Sequence, residues 1–87
     1  MNCTISPRAE KQIRKLPKFD QIAIAEKIRR LPQAEIPSEE KLSGYKNMFL
    51  VRVGDYRIVY RKSRSSVYIV LIGNRRDVYR MLKDVLR

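Results

Sequence analysis

Two arginines, Arg52 and Arg57, stand symmetrically about Gly54-Asp55 in the stretch Val51-Arg52-Val53-Gly54-Asp55-Tyr56-Arg57-Ile58. A Gly-Asp pair between apolar, β-branched runs reads as a two-residue hairpin turn. With that turn, Val53 faces Tyr56, Arg52 faces Arg57, Val51 faces Ile58, Leu50 faces Val59 and Phe49 faces Tyr60. Side chains alternate between the two faces of a strand. One face then carries Phe49, Val51, Val53, Tyr56, Ile58 and Tyr60 and reads as the core face. The other carries Met48, Leu50, Arg52, Arg57, Val59 and Arg61. Like charges directly opposite each other across strands repel. An anion between them relieves the repulsion, and two guanidinium forks are shaped to hold a phosphate. Two arginines splayed into water would fit the same spacing, so spacing alone leaves both readings open.

A second group follows in Gly73-Asn74-Arg75-Arg76-Asp77-Val78-Tyr79-Arg80. If a helix begins at Arg75, then Arg75 and Tyr79 project to one side of its first turn. A helix N-terminus also favours an anion. A cation beside an aromatic ring suits RNA, one holding phosphate and the other stacking on an unpaired base. A tyrosine at this spacing could equally pack in the core. Other chemistries are excluded. The chain has no histidine and a single cysteine, Cys3, which rules out histidine catalysis, Cys/His zinc sites and an internal disulfide. Cys3 itself reads as a small buried hydrophobe.

Charge points to the same class of partner. The 87 residues carry 20 Lys and Arg against 9 Asp and Glu, a net charge of +11. A surface this basic is the electrostatic footprint of a polyanion-binding protein. Residues 1–43 hold 9 basic and 6 acidic side chains, whereas residues 44–87 hold 11 and 3. The partner surface is therefore expected in the C-terminal half. The longest uncharged apolar run, Val67 to Ile72, is too short to span a membrane. No basic segment followed by an apolar one opens the chain, so a cytoplasmic protein without a signal peptide is expected.

The elements that must position these residues follow from periodicity. Asn2 to Ile5 reads as a short strand. Ser6-Pro7 opens a helix as N-cap and first helical position. Ala9, Ile13 and Leu16 follow at helical spacing until Pro17. A second helix starts near Lys18 and ends at Pro32. Its stripe is Ile24, Ile28 and Leu31, with Phe19 and Ala25 available to widen it. Residues 32–47, with Pro32, Pro37 and Gly44, form a connection. Met48 to Val53, Tyr56 to Arg61 and Val67 to Ile72 read as strands, and a last helix runs from about Arg76 to Leu86. The order strand, helix, helix, three strands, helix predicts one α+β domain over residues 1–87, with a small antiparallel sheet and the first two helices as a hairpin on one face.

Three stretches together resemble the RelE branch of the RelE/ParE toxin superfamily: Leu42-Ser43-Gly44, Val51 to Tyr60 with its Gly-Asp-Tyr-Arg hairpin, and Ile72 to Arg80. Arg8-Ala9-Glu10 and Leu16-Pro17 fit as well, so the resemblance covers essentially the whole chain. It implies a toxin of a type II toxin–antitoxin pair that cuts messenger RNA in the ribosomal A site, without a metal or other cofactor, by attack of a ribose 2′-hydroxyl. It implies catalytic roles for three residues: Arg57 on the scissile phosphate, Arg75 at the transition state or leaving oxygen, and Tyr79 stacking on the nucleotide. Arg52, Lys46, Arg61 and Arg76 complete the implied RNA-binding set. Some relatives carry a second basic residue two positions before Arg52, a candidate general base. This chain has Leu50 there, and Lys46 is the available substitute. The implied partners are the ribosome with its messenger, an acidic RelB-like antitoxin and, through the antitoxin, operator DNA. A ParE-like gyrase inhibitor sharing the hairpin, and a relative that binds RNA or the ribosome without catalysis, are the alternatives.

Overall fold

The computed structural model describes residues 2–32, 36 and 38–85. Its centre is the hairpin of β3 (Met48–Val53) and β4 (Tyr56–Lys62). The observed partners are Val53 with Tyr56, Arg52 with Arg57, Val51 with Ile58, Leu50 with Val59 and Phe49 with Tyr60, as the sequence predicts. Gly54 sits at φ 59 and Asp55 does not have positive φ. This is the pattern of the type II′ turn, whose first central position requires glycine.

β5 (Ser66–Asn74) pairs antiparallel with β4, and β1 (Asn2–Ile5) pairs parallel with β5. A two-residue strand, β2 (Glu40–Lys41), pairs with β3 inside the segment expected to be a plain connection. The sheet order is β1-β5-β4-β3-β2, so the sheet is mixed rather than wholly antiparallel. Of the connection's residues, positions 33–35 and Pro37 lie outside the described residues, as does Leu86, the last position of the expected C-terminal helix.

Helices α1 (Pro7–Arg14) and α2 (Lys18–Arg30) cover one face of the sheet. Ala9, Ile24, Ile28 and Leu31 pack there on Val51, Ile58, Tyr60, Val67, Ile69 and Ile72. Phe19 is 82% exposed and Ala25 is also exposed, so neither widens the stripe. Cys3 lies exposed on the edge strand β1, not buried.

Beyond Ile5 the strand β1 stops and β5 continues, which would leave backbone groups on an open edge. α1 lies along that edge and satisfies them. The Ser6 hydroxyl accepts from the Ala9 N–H at 3.0 Å, capping α1, and donates to the Val70 carbonyl at 2.7 Å. The Gln12 side-chain oxygen accepts from the Ile72 N–H at 2.7 Å. Ser6→Ala removes the cap and leaves the Val70 carbonyl unpaired, and the expected loss is about 2 kcal/mol. Denaturant unfolding would measure it, and a loss under about 0.5 kcal/mol would contradict this account.

The second face is also a core, a departure from the sequence expectation. Met48, Leu50 and Val59 are at most 1% exposed. They pack with Val70 and Leu71 under α3 (Val78–Val85), through Val78 and Leu82, and under Leu42. A register shift between Val59 and Tyr60 inserts Val70 as an extra residue on β5. The bulge turns Val70 and Leu71 to the α3 side together.

The loop before β2 is tied to the sheet by Glu39. Its carboxylate accepts a hydrogen bond from the Tyr60 hydroxyl and pairs with Lys62 at 2.7 Å. Burial, and next the Glu39 carboxylate, push the Tyr60 phenol well above the ordinary tyrosine value of 10. The native state therefore keeps this proton when the unfolded chain releases it. The contribution is complete below pH 10 and is lost as pH rises beyond it. Tyr60→Phe is expected to cost about 2 kcal/mol at neutral pH and to flatten the fall of melting temperature between pH 9 and 11. A variant as steep as the parent would contradict this.

Candidate functional site

α3 seals the middle of its sheet face and leaves the hairpin end open. Arg52 on β3, Arg57 on β4 and Gly73 on β5 lie side by side in one row across the three strands. The pair next to the turn-closing pair of a two-residue hairpin is not hydrogen-bonded, so the Arg52 and Arg57 Cα atoms stand about 4.5 Å apart. Arg57 is half-buried and Arg52 exposed. Gly73 completes the row without a side chain. A Cβ there would lie 2.9 Å from the Met81 sulfur, so the bare glycine lets α3 close down beside Arg57.

Arg75 and Arg76 come from the turn after β5. The Asn74 side-chain oxygen accepts from the N–H groups of Arg76 and Asp77, both at 2.9 Å, and the Asp77 carbonyl accepts from the Met81 N–H. Asn74 thereby folds the chain into an Asx turn, and α3 begins only at Val78. Arg75 consequently precedes the helix and does not share its first turn with Tyr79. Its N–H donates instead to the Asp55 carbonyl at 3.3 Å, docking the turn on the hairpin. Asp55, Asn74, Arg75 and Arg76 line one open pocket. Tyr79, in the first turn of α3, is 51% exposed and not a core residue.

The structure thus brings Arg52, Arg57, Arg75, Arg76 and Tyr79 to one end of the sheet. It does not bring Lys46 and Arg61 there. Those two line a separate pocket with Gly44, Tyr45, Asn47 and Met48. Arg61 is four residues from Arg57 on the same strand, roughly 13 Å. Leu50, in the buried row between, presents no proton acceptor. Sequence reasoning missed Gly73, Asn74 and the reach of Gln12, whose amide also contacts the Met81 sulfur at 3.7 Å. The Asn74 cap was visible as an asparagine three residues before an aspartate at a helix start.

The ion pairs among the described residues are Arg14–Glu10, Lys62–Glu39 and Arg80–Asp77. Arg52, Arg57, Arg75 and Arg76 belong to none of them. Two opposed guanidinium groups on the sheet face, with two more lining a pocket against the hairpin turn, can bind a phosphodiester and stabilise charge developing on it. Among the described residues no helix is long and apolar enough to cross a membrane.

No curated protein sequence matches the chain. Similar folds occur among solved structures. A mutant of the Escherichia coli toxin RelE in the free state aligns with a TM-score of 0.77 and 20% identity, over 98% of this chain and 93% of that one. The toxin of the archaeal RelE–RelB complex from Pyrococcus horikoshii aligns at 0.74 and 23% identity, over 85% and 93%. That of the RelB–RelE antitoxin–toxin complex from Methanococcus jannaschii aligns at 0.73 and 18%, over 90% and 96%. The model of the ParE toxin of type II toxin–antitoxin systems matches residues 4–79. With this match over most of its length, and with the RelE fold, the chain belongs to the RelE/ParE superfamily of type II toxins.

Proposed function

We propose that the protein is a ribosome-dependent endoribonuclease that cuts messenger RNA in the A site and so halts translation. The observation that carries this reading is the opposed pair Arg52 and Arg57 at the hairpin end of the sheet, with Arg75 and Arg76 lining a pocket against the hairpin turn and Tyr79 exposed on α3. Arg57 and Arg52 grip the scissile phosphate between them. The ribose 2′-oxygen attacks phosphorus as its proton passes to water, and the bond to the 5′-oxygen breaks as that oxygen takes a proton from water, leaving a 2′,3′-cyclic phosphate and a 5′-hydroxyl. Arg75 stabilises the charge on the transition state and leaving oxygen, Tyr79 stacks on the nucleotide, and Arg76 holds the flanking backbone. Arginine keeps its proton, so positioning and electrostatic stabilisation supply most of the rate. Lys46 and Arg61 contact RNA further along the strand rather than at the reacting atoms.

The natural inhibitor on this reading is an acidic RelB-like antitoxin, which complements the charge of +11 and carries the toxin to operator DNA. Solved relatives in complex with such partners support it. A second reading, inhibition of DNA gyrase, is favoured by the match to the ParE model. Primer extension on a defined messenger in a purified translation system separates the two. Cuts inside the A-site codon only when ribosomes are present are expected. No cuts, together with blocked supercoiling in a gyrase assay, would move the assignment to gyrase. Neither activity from folded protein would leave a non-catalytic binding module.

A further inference from the structure

The five tyrosines of the chain divide by face and by partner. Tyr56 and Tyr60 lie on the face under α1 and α2, where their hydroxyls donate to Asp20 and Glu39. Tyr45 packs on the core beneath α3. Two remain exposed, Tyr79 at 51% and Tyr68 at 39%. Tyr79 belongs to the site at the hairpin end. Tyr68 stands at the other end of the same sheet face and belongs to neither core. It lies five residues before Gly73, and on a regular strand the two would point to opposite faces. The extra residue at the Val70 bulge brings both to the α3 side.

In its row Tyr68 lies between Thr4 on β1 and Arg61 on β4, and Met48 on β3 follows. Facing side chains in adjacent strands stand about 4.5–5.5 Å apart at Cβ. Arg61 and Lys46 are exposed and in none of the ion pairs of the described residues. Arg61 lines an open pocket with Lys46 and Asn47. No acidic residue occurs from Tyr56 to Arg76, a stretch that holds six basic ones. An exposed ring thus adjoins cations that no carboxylate neutralises.

We infer that Tyr68 and Arg61 form a subsite for one unpaired nucleotide of single-stranded RNA, the base stacked on the Tyr68 ring and its phosphate held by Arg61 and Lys46. Stacking on an aromatic that stands out from a sheet face needs a π-face rather than a sequence, and a purine offers the larger one. The subsite is separate from the reacting centre. Arg61 lies roughly 13 Å from Arg57 along β4, and α3, packed on Leu50, Val59 and Leu71, covers the face between them. A strand held at both is gripped on either side of α3, and the Tyr68 nucleotide fixes which phosphate reaches Arg57. An acidic peptide would satisfy Arg61 and Lys46 but leaves the ring unused. The inference rests on the RNA reading above, and its test does not depend on cleavage.

The Tyr79→Ala protein, which lacks the ring of the hairpin end, is titrated with a short oligouridylate carrying one 2-aminopurine. The fluorescence of this base falls when it stacks, and quenching at saturation is expected. Adding Tyr68→Ala should abolish the quenching and weaken binding at least about fivefold, whereas Tyr68→Phe, which keeps the ring, should preserve both. Arg61→Gln should weaken binding and lower the log–log salt slope by about 0.7, with the base still stacked at saturation. Circular dichroism confirms that the variants are folded. Binding of polyglutamate, titrated in parallel, should not respond to Tyr68→Ala. Unchanged quenching and affinity in Tyr68→Ala would overturn the inference, as would loss of both in Tyr68→Phe. Equal losses for RNA and polyglutamate would overturn it too, and would make the patch a docking site for an acidic protein. A failure of the cleavage reading is seen separately, in primer extension with the parent.

Discussion

Arg57→Ala is expected to slow A-site cleavage by at least about 10²–10³-fold while leaving the protein as stable as the parent, or slightly more so. The two effects have one cause. Arg57 faces Arg52 across a non-hydrogen-bonded pair, where side chains approach most closely. Neither arginine belongs to an ion pair of the described residues. In the free protein their repulsion costs stability, by about 0.2–1 kcal/mol for an opposed like-charged pair. Truncating one side releases that strain. When a phosphate lies between them the sign reverses, and the same closeness becomes a two-sided clamp. Arg57→Lys should recover little, because an ammonium is a point charge and cannot grip two phosphate oxygens in parallel. On the proposed clamp, in which both arginines hold one phosphate, the double variant Arg52→Ala/Arg57→Ala should lose less than the product of the single losses. Cleavage rates by primer extension and stability by denaturant unfolding check both halves. Cleavage at the parental rate would remove Arg57 from the site. A stability loss above about 2 kcal/mol would make it structural instead.

The hairpin was legible to the residue because two local signals agree. Gly-Asp demands a tight turn, and the alternating runs on either side have only one register that keeps Val51, Ile58 and Tyr60 on a common face. The first helix was legible for a similar reason, since Ser6-Pro7 supplies an N-cap and a first helical residue just ahead of apolar residues at helical spacing. What the sequence hid depends on contacts far along the chain. The parallel pairing of β1 with β5 joins Cys3 to Val67 and leaves no local trace. β2 has two residues and no period to detect. The Val70 bulge sits inside a continuous apolar run, where alternation cannot be read.

The site divides along the same line. Arg52 and Arg57 follow from the turn, whereas the placement of Arg75 depends on Asn74 delaying the helix by three residues. Lys46 and Arg61 share a charge type with the pair but not an end of the sheet, and charge counting carries no such information. The alternation that puts Leu50 and Val59 among arginines is ambiguous by itself. Whether that face meets water or a helix is decided by α3, and α3 is docked by Gly73, whose missing side chain reads in sequence only as the end of a strand.

Leu50→Lys therefore should not install the basic residue that some relatives of this fold carry at that position, and it should cost at least about 4 kcal/mol. Leu50 is 1% exposed and packs in the core beneath α3 with Val59 and Leu82. An ammonium there must be stripped of water, lose its charge, or swing out toward Glu40, its cross-strand partner on the edge strand β2. The last route keeps the charge solvated but withdraws the side chain from beneath α3 and leaves a cavity. In each case α3 loosens, and Tyr79 and the Arg75 turn, which α3 anchors, move off the arginine pair. Cleavage should fall along with stability rather than rise. Leu50→Met keeps the volume and should cost less than about 1.5 kcal/mol with cleavage intact. Unfolding curves and cleavage rates for the two variants decide the matter. A Leu50→Lys protein as stable as the parent, or a faster nuclease, would show that α3 does not seal this face. The position would then be open to the chemistry proposed for Arg52 and Arg57, which lie two residues along the same strands on that face.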